Sequence, residues 1–197
     1  MFSQRGEGWV DMPLGNVCSF LNGFAFKSKD TVDDSNTQLI RMGNLYQNVL
    51  DLERKPSFYP GSFSEKYVKY KLSEGDLIIS LTGTVGKEDY GFTVEIPKVD
   101  RVLLLNQRIA KFININAQLI EKDFLFRTVR SKFFLEKLYS TANGTRQANL
   151  STQTMRDILI KVPSLEVQRK VCLSLDLLEL ETQKLEKIYS DKLIRLA

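Results

Sequence analysis

The chain has 197 residues, a formal net charge of +4, two cysteines and no histidine, and 43% of its side chains are hydrophobic. That length and apolar content suit one full domain with an extension, or two small domains, and argue against disorder. Without histidine, Ser-His-Asp and Cys-His catalysis and histidine general bases are excluded, and Cys18 and Cys172 alone do not make a structural zinc site.

No apolar run approaches the 18 or so residues needed to cross a bilayer, and residues 1–12 hold no apolar stretch of signal-peptide length. The expected location is the cytoplasm, with no membrane contact and both thiols reduced and buried. Charge is unevenly spread. Residues 1–100 carry 11 Lys and Arg against 14 Asp and Glu, residues 101–163 carry 11 against 4, and residues 164–197 carry 6 against 6. The basic excess therefore belongs to the body, where clusters such as Arg54, Lys55, Lys66, Lys69 and Lys71 suit a phosphate backbone.

Leu14, Val17, Cys18 and Leu21, at i, i+3, i+4 and i+7, predict a short amphipathic helical stretch closed by Asn22-Gly23. Residues 23–37 read as a polar loop. Gln38–Met42 reads as a strand, Gly43-Asn44 as a turn, and 46–75 as irregular. Asp76–Leu81 reads as a buried strand, and residues 82–87 (TGTVGK) leave it as a glycine-punctuated loop. Gly91–Ile96 and Val102–Ile115 are β-rich, separated by Pro97. Residues 119–140 switch to helical period, with Phe124, Leu125, Val129, Phe133 and Leu138 near one face and Asn143-Gly144 as the stop. A polar loop, a short helical turn and a strand at Ile158–Val162 complete the body. The expected fold is α+β: a mixed body over 1–163, then one long helix over 164–197.

That last segment holds no glycine or proline after Pro163. Val171, Leu175, Leu178, Thr182, Leu185, Tyr189 and Leu196 recur in steps of four and three, broken at Lys192, which is a coiled-coil seam. At 1.5 Å per residue it would run roughly 50 Å. It either packs back on its own body or pairs with another helix; its length and balanced charge favour pairing.

Three polar segments suit a ligand as well as a structural role. Residues 82–87 lack the spacing of a nucleotide P-loop, so they form a tight turn or present backbone N–H groups and Lys87 to a phosphate. Asn106-Gln107-Arg108 interrupts an apolar β run, so it makes a structural network or reaches a nucleic acid. Arg146, Gln147 and Asn149 are of the types that pair with guanine and adenine edges, and are also ordinary loop residues. Neither a methyltransferase Asn/Asp-Pro-Pro-aromatic motif nor G-x-G-x-x-G occurs. Adjacent Glu88 and Asp89, on opposite faces of a strand, would make a poor acid-base pair.

In order, the chain reads LGNVCSFLNGFAFKSKD, LIRMGNL, EGDLIISLTGTVGK, LLNQRIAKF and NGTRQANLSTQTMRDILIKVPSLEVQRKV, then the heptad helix. This series, over nearly the whole chain, resembles the specificity subunit of type I restriction-modification enzymes. The resemblance implies a non-catalytic target recognition domain that reads one half of a split site in double-stranded DNA. It implies a helix that spaces the half-sites and docks methyltransferase and restriction subunits. S-adenosylmethionine, ATP and magnesium would sit on those partners, leaving this chain with no cofactor, metal or catalytic residue. One recognition domain and one helix make half a subunit, so the chain is either a fragment or a half-subunit that pairs with a second copy through its helix. From residue type and loop position, Lys27, Lys29, Tyr46, Gln47, Thr84, Lys87, Tyr90, Arg146 and Gln147 are expected to face DNA, while Arg41 and Asn44 are either DNA-facing or scaffold. The rival reading is a protein–protein scaffold that acts through the helix without binding DNA.

Overall fold

The computed structural model describes residues 8–142 and 147–196, with Gln147 and residues 194–196 described by backbone alone. Strand β1 (Val10–Pro13) leads through a single 3-10 turn at Leu14–Asn16 into β2 (Ser19–Asn22). The expected helix is therefore one turn long, because from Ser19 onward the backbone pairs with a strand instead. Strand β3 (Thr37–Ile40) follows, then an irregular 3-10 segment at Met42–Asn48, then helix α1 (Ser62–Lys66). Strands β4 (Lys71–Leu72), β5 (Leu77–Ser80), β6 (Thr82–Thr84), β7 (Thr93–Glu95), β8 (Val102–Leu105) and β9 (Ile109–Ile113) come next. Helices α2 (Lys122–Arg130) and α3 (Lys132–Ser140), strand β10 (Gln147–Asn149), helix α4 (Thr152–Arg156), strand β11 (Leu159–Val162) and helix α5 (Leu165–Leu196) complete the chain.

Two sheets stack. One is antiparallel, in the order β2-β9-β5-β7; the other, β3-β8-β4, pairs β3 with β8 in parallel. Strand β5 lies between two apolar layers, which is why it reads as an unbroken apolar run. Leu77 and Ile79 face α2 and α3, whereas Ile78 faces the second sheet. Strand β8 repeats the device: Leu103 and Leu105 pack between the sheets, and Leu104 packs outward with Leu39, Tyr59, Phe26 and Phe63. The layers are thus helices, sheet, sheet and an aromatic cover.

The run expected to be one helix over 119–140 is two. Ser131 is extended; its hydroxyl donates to Thr128 O at 2.6 Å and accepts from the Phe134 amide at 3.3 Å, closing α2 and capping α3. The β run over 102–115 is likewise split, with Asn106–Arg108 as the turn that carries the chain from one sheet to the other. Gly23 lies against this turn. A Cβ there would fall 2.1 Å from the Asn106 carbonyl oxygen, so no larger residue fits.

Helix α5 starts inside the body. Gln168 is fully buried. Its amide nitrogen donates to Pro163 O at 2.8 Å and to Leu119 O at 2.9 Å, and its carbonyl oxygen accepts from the Glu121 amide at 2.8 Å. Val171 and Cys172 pack on the main core, and burial pushes both cysteine thiols up, Cys18 to about 12. Arg127 of α2 bonds Glu179 at 2.8 Å and also Asp176. These ion pairs are half in solvent and worth about 0.2–1 kcal/mol each, so the buried amide and apolar contacts outweigh them. From Leu180 to Leu193 every side chain of α5 is exposed. The part beyond Glu179 is roughly 25 Å long at 1.5 Å per residue.

Gln168→Leu keeps the volume but leaves the Glu121 amide and two carbonyls without their partner. It should lower stability by about 2–3 kcal/mol, seen as a lower urea midpoint. An unchanged midpoint would mean the clamp contributes nothing.

Candidate nucleic-acid interface

Because β3 and β8 run parallel, the chain leaves both strands at the same edge. The Asn106 amide donates to Ile40 O at 3.3 Å, which seats the 106–108 turn beside Arg41. Between them lies a polar cleft of about 580 Å³, bordered by Arg41, Arg54, Lys55, Gln107 and Arg108. Phe26 is also part of its wall, and is shared with a second cleft of about 300 Å³ that carries Lys27, Lys29 and Lys66. Arg54, Lys55, Gln107 and Arg108 are exposed.

The loop over 41–55 is built from within. Asn44 is 1% exposed. Its side-chain oxygen accepts from the Arg41 amide at 2.9 Å, and its nitrogen donates to Asp51 O at 2.8 Å and Arg54 O at 3.0 Å. Asp51 accepts from the amides of Glu53 and Arg54, both at 3.0 Å, and the Arg41 guanidinium donates to Lys55 O. Gln47, Asn48 and Lys55 have φ of 55°, 61° and 49°, an uncommon conformation for side-chain-bearing residues, so this loop is held rather than relaxed. Asn48 is fixed by accepting from the Thr93 amide at 2.8 Å.

A second group of loop residues lies alongside. Thr82 Oγ1 donates to Met42 Sδ at 3.1 Å, and the Leu81 amide donates to Arg108 O at 2.8 Å. Residues 82–84, expected as loop, form β6 because β10 pairs with them. Beyond Thr84 the chain turns back. The Asp89 carboxylate accepts from the Thr84 amide at 2.7 Å and the Thr84 hydroxyl at 2.8 Å. Partial burial pulls the Asp89 carboxyl upward, but those two Thr84 donors and nearby Lys87 hold it below the usual carboxylate range. Gly83 is needed here, since a Cβ would come within 2.4 Å of Asp89. Asp89 is therefore a turn-holding group, paired with Thr84 rather than with Glu88.

Of the expected DNA-facing residues, Lys27, Lys29, Arg41, Tyr46, Gln47, Thr84 and Lys87 are exposed, and Arg41, Lys27 and Lys29 border the two clefts. Two are not available. Asn44 is buried as the loop's internal fastener, and Tyr90 is 5% exposed with its ring 5.0 Å from that of Tyr139 in the main core. Gln147 pairs through its backbone with Thr84; its side chain and all of Arg146 lie outside the described residues, as does the Leu196 side chain. Arg54 and Lys55, read above as suited to a phosphate backbone, and Gln107 and Arg108, read above as either a structural network or a nucleic-acid contact, border the same cleft. Their signals were a basic pair between two strands and a three-residue polar break in an apolar run, which marks a turn.

Several cations of residues 101–163 are held differently. Arg127 is paired with α5, Lys122 with Glu95 at 2.6 Å, Lys111 with Asp76 at 2.6 Å and Lys161 with Asp11 at 3.3 Å. Much of the basic excess of residues 101–163 is thus neutralised locally, and the exposed cations of the cleft come largely from the acidic N-terminal half. Among the described residues no group of acidic or cysteine side chains could hold a metal ion, and no helix is long and apolar enough to cross a membrane.

On α5, the expected seam divides. Val171 packs on the core and Leu175 lies beside Phe126 and Arg130, while Leu178, Leu185 and Tyr189 are 55%, 54% and 64% exposed. The face that packs on α2 near the body continues outward as an uncovered stripe.

Residues 6–192 match the model of the type I restriction modification DNA specificity domain. The chain is 27% identical over 192 residues to the specificity subunit of the type I restriction enzyme MjaVIII of Methanocaldococcus jannaschii, covering 94% of this chain and 44% of that protein. It is 30% identical over 183 residues to the EcoAI specificity subunit of Escherichia coli, covering 92% of this chain and 30% of that one. It therefore spans less than half the length of these curated relatives. Two solved structures share the fold. The S subunit of M. genitalium aligns at TM-score 0.60 and 10% identity over 91% of this chain and 41% of its own. A chain of a type I R-M assembly aligns at 0.67 and 17% over 96% and 43%.

Proposed function

The chain belongs to the type I restriction modification DNA specificity domain family, and we propose that it is a non-catalytic reader of one half of a bipartite site in double-stranded DNA. The observation that carries this reading is the cleft at the shared end of β3 and β8, where two chain segments bring Arg41, Arg54, Lys55 and Arg108 together on an exposed face. Cations there hold phosphates and set the register or, like the polar groups on fixed loops, reach base edges. The work is cytoplasmic, where the DNA is, and uses no cofactor on this chain; S-adenosylmethionine, ATP and magnesium belong to the methyltransferase and restriction subunits that α5 docks.

Selection from a randomised duplex pool, with methyltransferase subunits supplied, should enrich one defined sequence. Affinity should fall steeply between about 50 and 200 mM salt, as counterion release requires. A pure protein scaffold would show no DNA affinity at any salt, and no enriched sequence would overturn the reading.

Helix α5 is the spacer. Its uncovered stripe, Leu178 to Tyr189, supports pairing with another helix, and a second copy of this chain supplies one of the right pattern. Leu178→Lys with Leu185→Lys should abolish self-association while leaving the body folded. A sedimentation mass identical to that of the parent chain would mean that this stripe does not pair copies.

A further inference from the structure

Among the arginines bordering the cleft, Arg54 differs in how it is held. Arg41 has its guanidinium committed to the Lys55 carbonyl. Arg108 is exposed at the β8–β9 turn, where its backbone amide bonds Asn106 at 3.1 Å. Arg54 has its guanidinium carbon 4.8 Å from the centre of the Tyr46 ring. That ring is itself fixed, meeting Phe92 edge-on at 5.7 Å. The backbone of Arg54 is held at both ends, its amide by Asp51 and its carbonyl by Asn44. The adjacent carboxylate, Glu53, is engaged with Arg101 at 3.0 Å, and the Arg54 fork makes no ion pair among the described residues. Arg101 is in turn tied to buried Gln38, also at 3.0 Å, so the neighbour is kept away from the fork by a fixed pair.

We infer that Arg54, stacked on Tyr46, is the base-reading side chain of this cleft and selects guanine at one position of the duplex. The inference rests on the DNA-reading function proposed above. A guanidinium covered on one face by an aromatic ring keeps its N–H edge free, and that planar fork matches O6 and N7 of guanine in the major groove. Stacking also removes the rotamer freedom that a free arginine loses on binding. A phosphate needs no such pre-orientation, and exposed Lys55 and Arg108 already supply positive charge. Tyr46 is a positioning residue here, acting through Arg54.

The test is pool selection with the full chain and methyltransferase subunits, run on the parent, R54K, R54A, Y46A and K55A. The parent should show a guanine preference at one position of roughly 5- to 150-fold. R54K and R54A should lose it at that position alone, and Y46A should weaken it at the same position. K55A should lower affinity for all sequences with the preference intact. If the parent selects a sequence and R54K keeps the whole preference, the assignment of Arg54 is wrong and the DNA-reading function stands. If the parent selects none, both fall. Arg54 is exposed, so thermal melts of R54K and R54A should match the parent and exclude misfolding as the cause.

Discussion

The parallel pairing of β3 with β8 is the constraint on which this molecule depends. Among strand ladders that are otherwise antiparallel in the described residues, it makes two segments far apart in sequence leave the sheets at one edge. The pairing is secured on both faces: Leu103 and Leu105 fill the space between the sheets, and Leu39 and Leu104 pack under the aromatic cover. Gln38, fully buried, ties the pair sideways by donating to Leu52 O at 2.6 Å, so the strand that starts the 41–55 loop also holds its far end. Gly23 allows the third segment, with Lys27 and Lys29, to pass against the 106–108 turn. Packing that serves stability thereby sets the geometry of the exposed face.

The second device is the Gln168 clamp. A helix attached through a flexible linker would let the body swing and could not fix a distance. Here the helix begins within hydrogen-bonding reach of the segment that precedes α2, and every hydrogen-bonding group of one buried amide is engaged there. Breaking it exposes unsatisfied donors and acceptors in a dry site, which costs more than surface ion pairs return. A rod held this way keeps a fixed orientation to the body along the turns that precede its exposed stripe.

Periodicity made the fold legible where burial was simple. The buried strand Leu77–Ser80, the strand at Leu159–Val162 and the long helix follow directly from apolar spacing. The break at Ser131 did not, because a serine that caps one helix and closes another leaves the apolar period intact. Nor did the strand at Thr82–Thr84, whose glycine signals a turn and whose strand character comes from a partner far along the chain. At the site, residue type and loop position picked out lysines that are exposed, but could not separate Tyr46, half-exposed under Arg54, from Tyr90, packed on Tyr139. Regional charge placed the basic excess in residues 101–163, yet ion pairs hold several of those cations, and three of the four cleft cations, Arg41, Arg54 and Lys55, come from the acidic half. Such distinctions depend on who neighbours whom, which parallel pairing decides and composition does not carry.

Crosslinking from single positions shows which face meets DNA. A benzophenone side chain placed at Gln107 on the β8–β9 turn, or at exposed Lys132 on α3, can be photolysed with duplex bound. Capture of DNA from position 107 and not from position 132 is the expected result. Capture from position 132 alone would place the duplex on the helical side and contradict the cleft at the end of β3 and β8 as the reading surface.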